Sequence, residues 1–159
     1  MTQEVTLHVG VTATRNGLTI PQQSEATLWA QCIRALHPRA EIWLHMGVCR
    51  GGDVWLADMF RAQAGAMIHG HPASNTKMHD RALYPCDLTD DPVPAVDRND
   101  VIIARSLHGM RGYPATPYDV LRSGTWTTIR HARKAHRDIT VIRPDGLPWD
   151  PPGEEGRQS

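Results

Sequence analysis

Hydrophobic and polar positions change their period along the chain, and each change marks an element. In EVTLHVGVT (4–12) Val5, Leu7, Val9 and Val11 alternate with polar or small residues, the pattern of a half-buried strand ending near Gly10. Pro21 then opens IPQQSEATLWAQCIRALH, whose Leu28, Trp29, Cys32, Ile33 and Leu36 fall at helical spacing and predict one apolar stripe. AEIWLHMG (40–47) is a second strand. It runs through Val48-Cys49-Arg50-Gly51-Gly52 into a second helix, DVWLADMFRAQAG, closed by Gly65. AMIHGH (66–71) is a third strand, stopped by Pro72.

The second half is less regular. Residues 73–97 are polar and carry several prolines, so they read as a surface excursion with room for one short helix. RNDVIIARS (98–106) is open between helix and strand, because its apolar run is too short for periodicity to decide. LHGMRGYP (107–114) reads as a strand, and DITVIRPDG (138–146) as the final one. Between them RSGTWTTIRHARKAH (122–136) is a helix packed through Trp126, Ile129 and Ala132. The Pro/Gly-rich remainder, 147–159, is expected to be a flexible tail, which leaves one domain over 1–146. Strands alternating with helices imply an α/β fold, a parallel sheet with helices on both faces. Such sheets bind ligands beyond the carboxyl ends of their strands, at a topological switch point.

Composition narrows the function classes. The chain has 159 residues, and its 17 Lys plus Arg balance 17 Asp plus Glu, so no global field points to nucleic acid or to an acidic membrane. Nucleic acid and membrane are accordingly not expected as partners. The three cysteines, Cys32, Cys49 and Cys86, form no C-x-x-C pair and read as reduced thiols. MTQEVTLHVG has neither the basic nor the apolar region of a signal peptide, and no apolar run is long enough for a membrane span. A soluble cytoplasmic protein is expected.

Four segments fall at or beside the strand-to-helix turns: Gly10, Thr12, Thr14 and Arg15; Gly51, Gly52 and Asp53; Gly70, His71 and Pro72; and Ser123, Gly124 and Thr125. Hydroxyls, glycine amides and arginines at one sheet edge suit a phosphorylated ligand. The strongest signal is the helix opening Ser-Gly-Thr with no acid in its first turn, since a helix N-terminus favours an anion that the protein here does not supply. Asp53 has two readings, a helix cap or an acceptor for a ribose hydroxyl. Trp126 either stacks on a base or packs its helix, and the 126/129/132 spacing favours packing. Neither G-x-G-x-x-G nor a P-loop motif is present.

His69 and His71 share one face of a strand, and with His45 or His79 they would offer a zinc ligand set. With no Cys or acid nearby at ligand spacing, H-x-H alone is weak. The pair is assigned to the protein instead, with His71 lining the pocket and His69 a partly buried strand residue. No metal and no cofactor are expected. The basic run 130–137 reads as a solvated helix end.

GGDVWLA (51–57), RNDVII (98–103) and SGTWTTIRHARK (123–134), with GVTATRNGLT (10–19) and the GHP turn, resemble the SMF/DprA–LOG (SLOG) superfamily of nucleotide-binding domains over roughly 4–146, and look like its compact single-domain members met in phages and bacteria. The resemblance implies a Rossmann-like sheet of about five strands, a homodimer or higher oligomer, and a nucleotide-derived ligand at the strand ends. Carried over by residue, Arg98, Asn99, Ser123, Gly124 and Thr125 would surround the phosphate, and Gly51, Gly52 and Asp53 the nucleoside. LOG enzymes are phosphoribohydrolases with a catalytic glutamate three residues after their Gly-Thr turn; that position is Thr128 here. If the chain is an enzyme, Asp53 or Asp119 would have to substitute. Three functions follow: non-enzymatic binding of a nucleotide-derived signal such as a cyclic ADP-ribose, nucleotide N-ribohydrolysis, and DprA-like single-stranded DNA binding. The missing glutamate favours the first, and neutral charge disfavours the third.

Overall fold

A computed structural model describes residues 4–75 and 82–149. In chain order it contains β1 (Thr6–Ala13), α1 (Ile20–Leu36), β2 (Glu41–Met46), α2 (Gly52–Ala64), β3 (Met67–Gly70), β4 (Leu88–Thr89), α3 (Ala95–Arg105), β5 (Met110–Tyr113), α4 (Gly124–Lys134) and β6 (Ile139–Val141). The strands form one sheet in the order β4-β3-β2-β1-β5-β6, and every neighbouring pair is parallel. The chain winds outward from β1 to β4 and then crosses back to place β5 on the other edge of β1. The switch point therefore lies between β1 and β5.

The α/β class with helices on both faces is as the sequence predicts, and the sheet has six strands where about five are expected. The additional strand is β4, inside the excursion. Two residues are too few to leave a periodic signal. Residues 98–106, open between helix and strand, belong to α3: Asn99, Ile102 and Ile103 are buried at helical spacing.

The alternation in β1 sorts its side chains onto two faces. Leu7, Val9 and Val11 join Ile42, Leu44, Met46 and Ile68 beneath α1 and α2, where Ala26, Ala30, Leu56 and Phe60 close the main core. The opposite face is covered by α3 and α4 through two smaller clusters. One holds Ile102, Ile103, Met110 and Ala132, the other Trp126, Ile129 and Val141. On that same face His8, His45 and His69 replace apolar residues.

The apolar stripe of α1 is a correction. Leu28, Cys32 and Leu36 are exposed, Trp29 and Ile33 are half-buried, and the face turned inward carries Gln22, Ala26 and Ala30. Small residues win because α1 packs closely on α2 and the sheet, and because Gln22 has a polar task there. Thr19 and Gln22 form a reciprocal cap, and the Gln22 amide donates to the carbonyls of Pro114 and Ile142 at 2.9 and 3.0 Å. The start of α1 is thereby tied to the ends of β5 and β6.

Residues 147–149, expected to open a flexible tail, are held against the sheet instead. Pro148 bridges Ile142, the Trp149 amide donates to the Val141 carbonyl at 2.8 Å, and the Trp149 ring meets Trp126 edge-on while Arg133 covers it. Residues 150–159 lie outside the described residues. Among the described helices none is long and apolar enough to cross a membrane.

Gly51 sets the approach of α2 to the sheet. Its φ is +85°, and a Cβ there would lie 2.1 Å from the Arg15 carbonyl oxygen. Gly51→Ala combines left-handed strain with a backbone clash, so it is expected to destabilise the fold by about 2–4 kcal/mol. A urea midpoint unchanged from wild type would show that the β1–α1 loop yields instead.

Candidate functional site

A cleft of about 510 Å³ opens over the carboxyl end of β1. The end of β1 and the loop after it supply Thr12, Thr14, Arg15 and Asn16, the β2–α2 turn and the start of α2 supply Gly47, Cys49 and Asp53, and α3 supplies Arg98, Asn99 and Ile102. The start of α4 closes the ring with Arg122, Ser123, Gly124, Thr125 and Thr128. The first turns of α2, α3 and α4 thus border one volume, through Asp53, Ala95 and Gly124, and their dipoles add to the cationic side chains.

The loops are built by local hydrogen bonds. Thr14 Oγ1 accepts the Asn16 amide, and its carbonyl accepts the amides of Gly17 and Gly52, which pins α2 beneath the β1–α1 loop. Asn75 Oδ1 accepts the Ala95 amide and caps α3. At α4, Ser123 Oγ accepts the Trp126 amide at 3.2 Å, and Thr128 Oγ1 donates to the Gly124 carbonyl at 3.0 Å. The first turn of α4 contains no acid. A Cβ on Gly124 would meet nothing within 4 Å. Serine caps the helix without charge and leaves open space before the turn.

Asp53 is the carboxylate among the described cleft residues, and it is buried. Burial pushes its pKa up to about 6, against partial compensation by the Cys49 amide, the Arg98 guanidinium and the Gly47 amide. The Cys49 amide donates to Asp53 Oδ2 at 3.1 Å. Beside it, burial raises the Cys49 thiol, which disfavours a thiolate nucleophile. Arg98 donates through Nη1 to the carbonyls of Gly47 and His71 at 2.7 and 3.2 Å, and through Nε to Asn99 Oδ1 at 2.9 Å. Its guanidinium thus joins the ends of β2 and β3 at the cleft wall.

The expected site residues separate into two groups. Thr12, Thr14, Arg15, Asp53, Arg98, Asn99, Ser123, Gly124 and Thr125 line the cleft together. Gly10, Gly51, Gly52 and Trp126 do not. A Cβ on Gly10 would strike Ser106, one on Gly51 the Arg15 backbone, and one on Gly52 Ala13, so all three are packing positions. Trp126 is fully buried and donates to Thr116 Oγ1 at 2.9 Å, which leaves no face for a base. His71 and Pro72 border a separate cavity of about 180 Å³ with Asp90, across Arg98 from the cleft. Of the two alternative carboxylates, Asp119 is paired with Arg130 and is not among the cleft residues, whereas Asp53 is. The sequence reading missed Asn16, Cys49, Asn75, Arg122 and Thr128 as lining residues. Arg122 was legible, being an arginine directly before the uncharged cap; Asn75 was not, since its loop reaches the cleft only through tertiary packing.

The histidines gather on the sheet face beside that smaller cavity. His45 and His69 are register partners on β2 and β3, and the ligand atoms of His45, His69 and His71 all lie within 4.8 Å of one another. No acid stands at ligand spacing in the sequence, but the fold brings one up: Asp90, distant in sequence, accepts from both His69 and His71 at 2.7 Å. His79 lies outside the described residues. Burial, with the neighbouring histidines, lowers His45 to about pKa 3. Burial and His69 lower His71 to about 4, so both rings are neutral at pH 7.

No protein-family model matches the chain, and no curated protein matches it significantly in sequence. Solved structures do match in shape. The molybdenum cofactor binding protein from the phototrophic bacterium Rippkaea orientalis aligns with a TM-score of 0.61 at 16% identity, over 90% of this chain and 78% of that one. The Moco carrier protein from Chlamydomonas reinhardtii aligns with a TM-score of 0.52 at 17% identity, over 87% and 76%. At such identity the likeness shows a shared Rossmann-like fold.

Asp53 generates a pH-dependent prediction. The folded chain keeps this proton up to about pH 6, whereas the ordinary carboxyl releases it near 3.8. The folded state therefore binds more protons in that window, and the contribution of Asp53 to stability is complete below it and lost as pH rises through 6. Asp53→Asn removes the loss, because the amide oxygen still accepts the Cys49 N–H. The variant is expected to be more stable than wild type at pH 8 by about 2–3 kcal/mol, with the difference shrinking toward pH 4. Denaturant titrations at both pH values check it; a constant difference would show that Asp53 ionises normally.

Proposed function

We propose that this chain is a non-enzymatic binder of a phosphorylated, nucleotide-derived small molecule, and that it is a compact member of the SLOG superfamily. The observation that carries this reading is the convergence of three helix N-termini on one cleft whose α4 entrance is capped by an uncharged serine. The cleft volume suits a ligand of nucleotide size. Ser123, Gly124 and Thr125 would take the phosphate with Arg15 and Arg122, and Asp53 a sugar hydroxyl. That two structural neighbours are named for binding or carrying the molybdenum cofactor supports a small molecule held in this fold. Within the class, the preferred ligand is a cyclic ADP-ribose-type or cyclic nucleotide immune signal, sensed or sequestered in the cytoplasm, as in a phage anti-defence sponge. A homodimer or higher oligomer is the assembly this reading carries.

The binder reading is supported by the side chains available. Where LOG enzymes carry a glutamate the chain has Thr128, whose hydroxyl is bonded to its own helix, and Asp119 is engaged by Arg130. One observation favours a second reading, a nucleotide N-ribohydrolase: a buried carboxyl with pKa about 6 is suited to general acid–base chemistry. Single-stranded DNA binding is the weaker alternative, since balanced charge offers little counterion release.

The deciding experiment incubates the protein with nucleoside monophosphates, ADP-ribose, cyclic nucleotides and the molybdenum cofactor, then analyses the bound and free pools by mass spectrometry. Intact ligand released only on denaturation supports the binder; accumulation of free base and ribose phosphate overturns it in favour of the hydrolase. Ser123→Asp tests the phosphate position. Asp is an equally good cap, so stability should stay within about 0.5 kcal/mol of wild type. The new charge at the helix start should weaken the phosphorylated ligand about tenfold or more. Unchanged affinity would move the phosphate elsewhere.

A further inference from the structure

The histidine-lined face of the sheet has no part in the cleft chemistry. A sheet face beneath helices ordinarily carries apolar side chains, since a buried imidazole must keep both ring nitrogens satisfied. Here three buried histidines meet at β2 and β3, with exposures of 1% for His45, 8% for His69 and 2% for His71. The His69 and His71 rings are stacked with centroids 4.1 Å apart.

The hydrogen bonds divide the six ring nitrogens into an outer and an inner set. His45 Nε2 faces His8 Nδ1 at 2.9 Å, His71 Nδ1 faces Asp90 Oδ2 at 2.7 Å, and His69 Nε2 faces Asp90 Oδ1 at 2.7 Å. With a proton on each of these nitrogens, the other nitrogen of each ring, His45 Nδ1, His71 Nε2 and His69 Nδ1, carries a lone pair, and each of the three rings offers a nitrogen within 4.8 Å of the others. Two of them, His45 Nδ1 and His71 Nε2, already lie 2.9 Å apart. In a tetrahedral site with bonds of about 2.0–2.1 Å, ligand nitrogens stand roughly 3.3 Å apart, so to admit an ion this pair opens slightly and His69 closes in from its present place within 4.8 Å. A carboxylate that orients two imidazoles from outside is the usual support of a histidine metal site.

We propose that His45, His69 and His71 bind a divalent transition-metal ion of the zinc class, with Asp90 and His8 holding the imidazoles from behind and a fourth position left to water. Imidazole donors without thiolate or a carboxylate in the inner set suit Zn²⁺, Co²⁺ or Ni²⁺ over Mg²⁺ or Ca²⁺. The ion would tie β2 and β3 to the loop after β4, the strand that is only two residues long. The site is separate from the cleft, across Arg98, and does not depend on the ligand reading.

The test titrates CoCl₂ or ZnCl₂ into full-length protein stripped with a chelator. One Co²⁺ per chain is expected, with the intense visible bands of four-coordinate Co²⁺, displaced by Zn²⁺, and with a higher melting temperature in the metal-loaded protein. His45→Gln and His71→Gln should abolish the bands. Asp90→Asn, which leaves the three ligands in place, should weaken the ion about 10–100-fold. His37→Ala, on an exposed histidine at the C-terminal end of α1, should leave binding intact. Circular dichroism confirms that each variant is folded. Substoichiometric, featureless Co²⁺ binding by wild type, or binding that survives in folded His45→Gln and His71→Gln, overturns the proposal and leaves the histidines as a hydrogen-bonded network.

Discussion

The Arg98 guanidinium is the tie on which the site depends. It leaves α3 and donates to the carbonyls that end β2 and begin the loop after β3. Those carbonyls sit where a parallel sheet runs out of strand partners, so they would otherwise face the cleft or the interior unpaired. One side chain satisfies both, fixes α3 across the strand ends, and stands beside the buried Asp53 carboxyl. Without it the two carbonyls would lose this donor, and Asp53 would lose the guanidinium that offsets its burial.

Around that tie the fold separates polar chemistry from apolar packing. The face beneath α1 and α2 is a continuous core, and its close helix contacts rely on alanines and on glycines at the α2 start. The other face divides into two small apolar clusters beside β5 and β6 and a histidine network beside β2 and β3. Polar groups that cannot be paired within the ladder are collected at the carboxyl end of the sheet, where caps and loops satisfy them. The cleft is a consequence of the same geometry: parallel strands send every following helix away from one edge, so the helix N-termini gather there.

Serine at the α4 cap illustrates how stability and binding are balanced at such an edge. An acid in the first turn would favour the helix through its dipole. The chain instead uses an uncharged hydroxyl for the Trp126 amide, while Trp126 itself, buried against Trp149 and bonded to Thr116, anchors the helix from below. The helix is secured by packing, so its end is left chemically available.

Much of this organisation was legible in the chain. Alternation in 4–12 and 40–47, the Gly-Gly turn before Asp53, and the Ser-Gly-Thr opening place strands, helices and the cleft edge, because they arise from local backbone geometry and side-chain period. The apolar stripe of α1 misled, since hydrophobicity alone does not say that Ala26 and Ala30 are the residues a close helix contact admits. Trp126 and Gly10 sat in the right segments but face the interior, an orientation set by what packs above them. Asp90 reaching His69 and His71 depends on the pairing of β4 with β3, and Arg98 reaching Gly47 and Asn75 reaching the cleft depend on the crossover from β4 to β5. Sequence by itself determined the alternation of elements and the residue types at each strand end. Tertiary structure alone decided which of those residues share a volume, because contacts between distant segments follow from sheet order and helix packing, which no local pattern encodes.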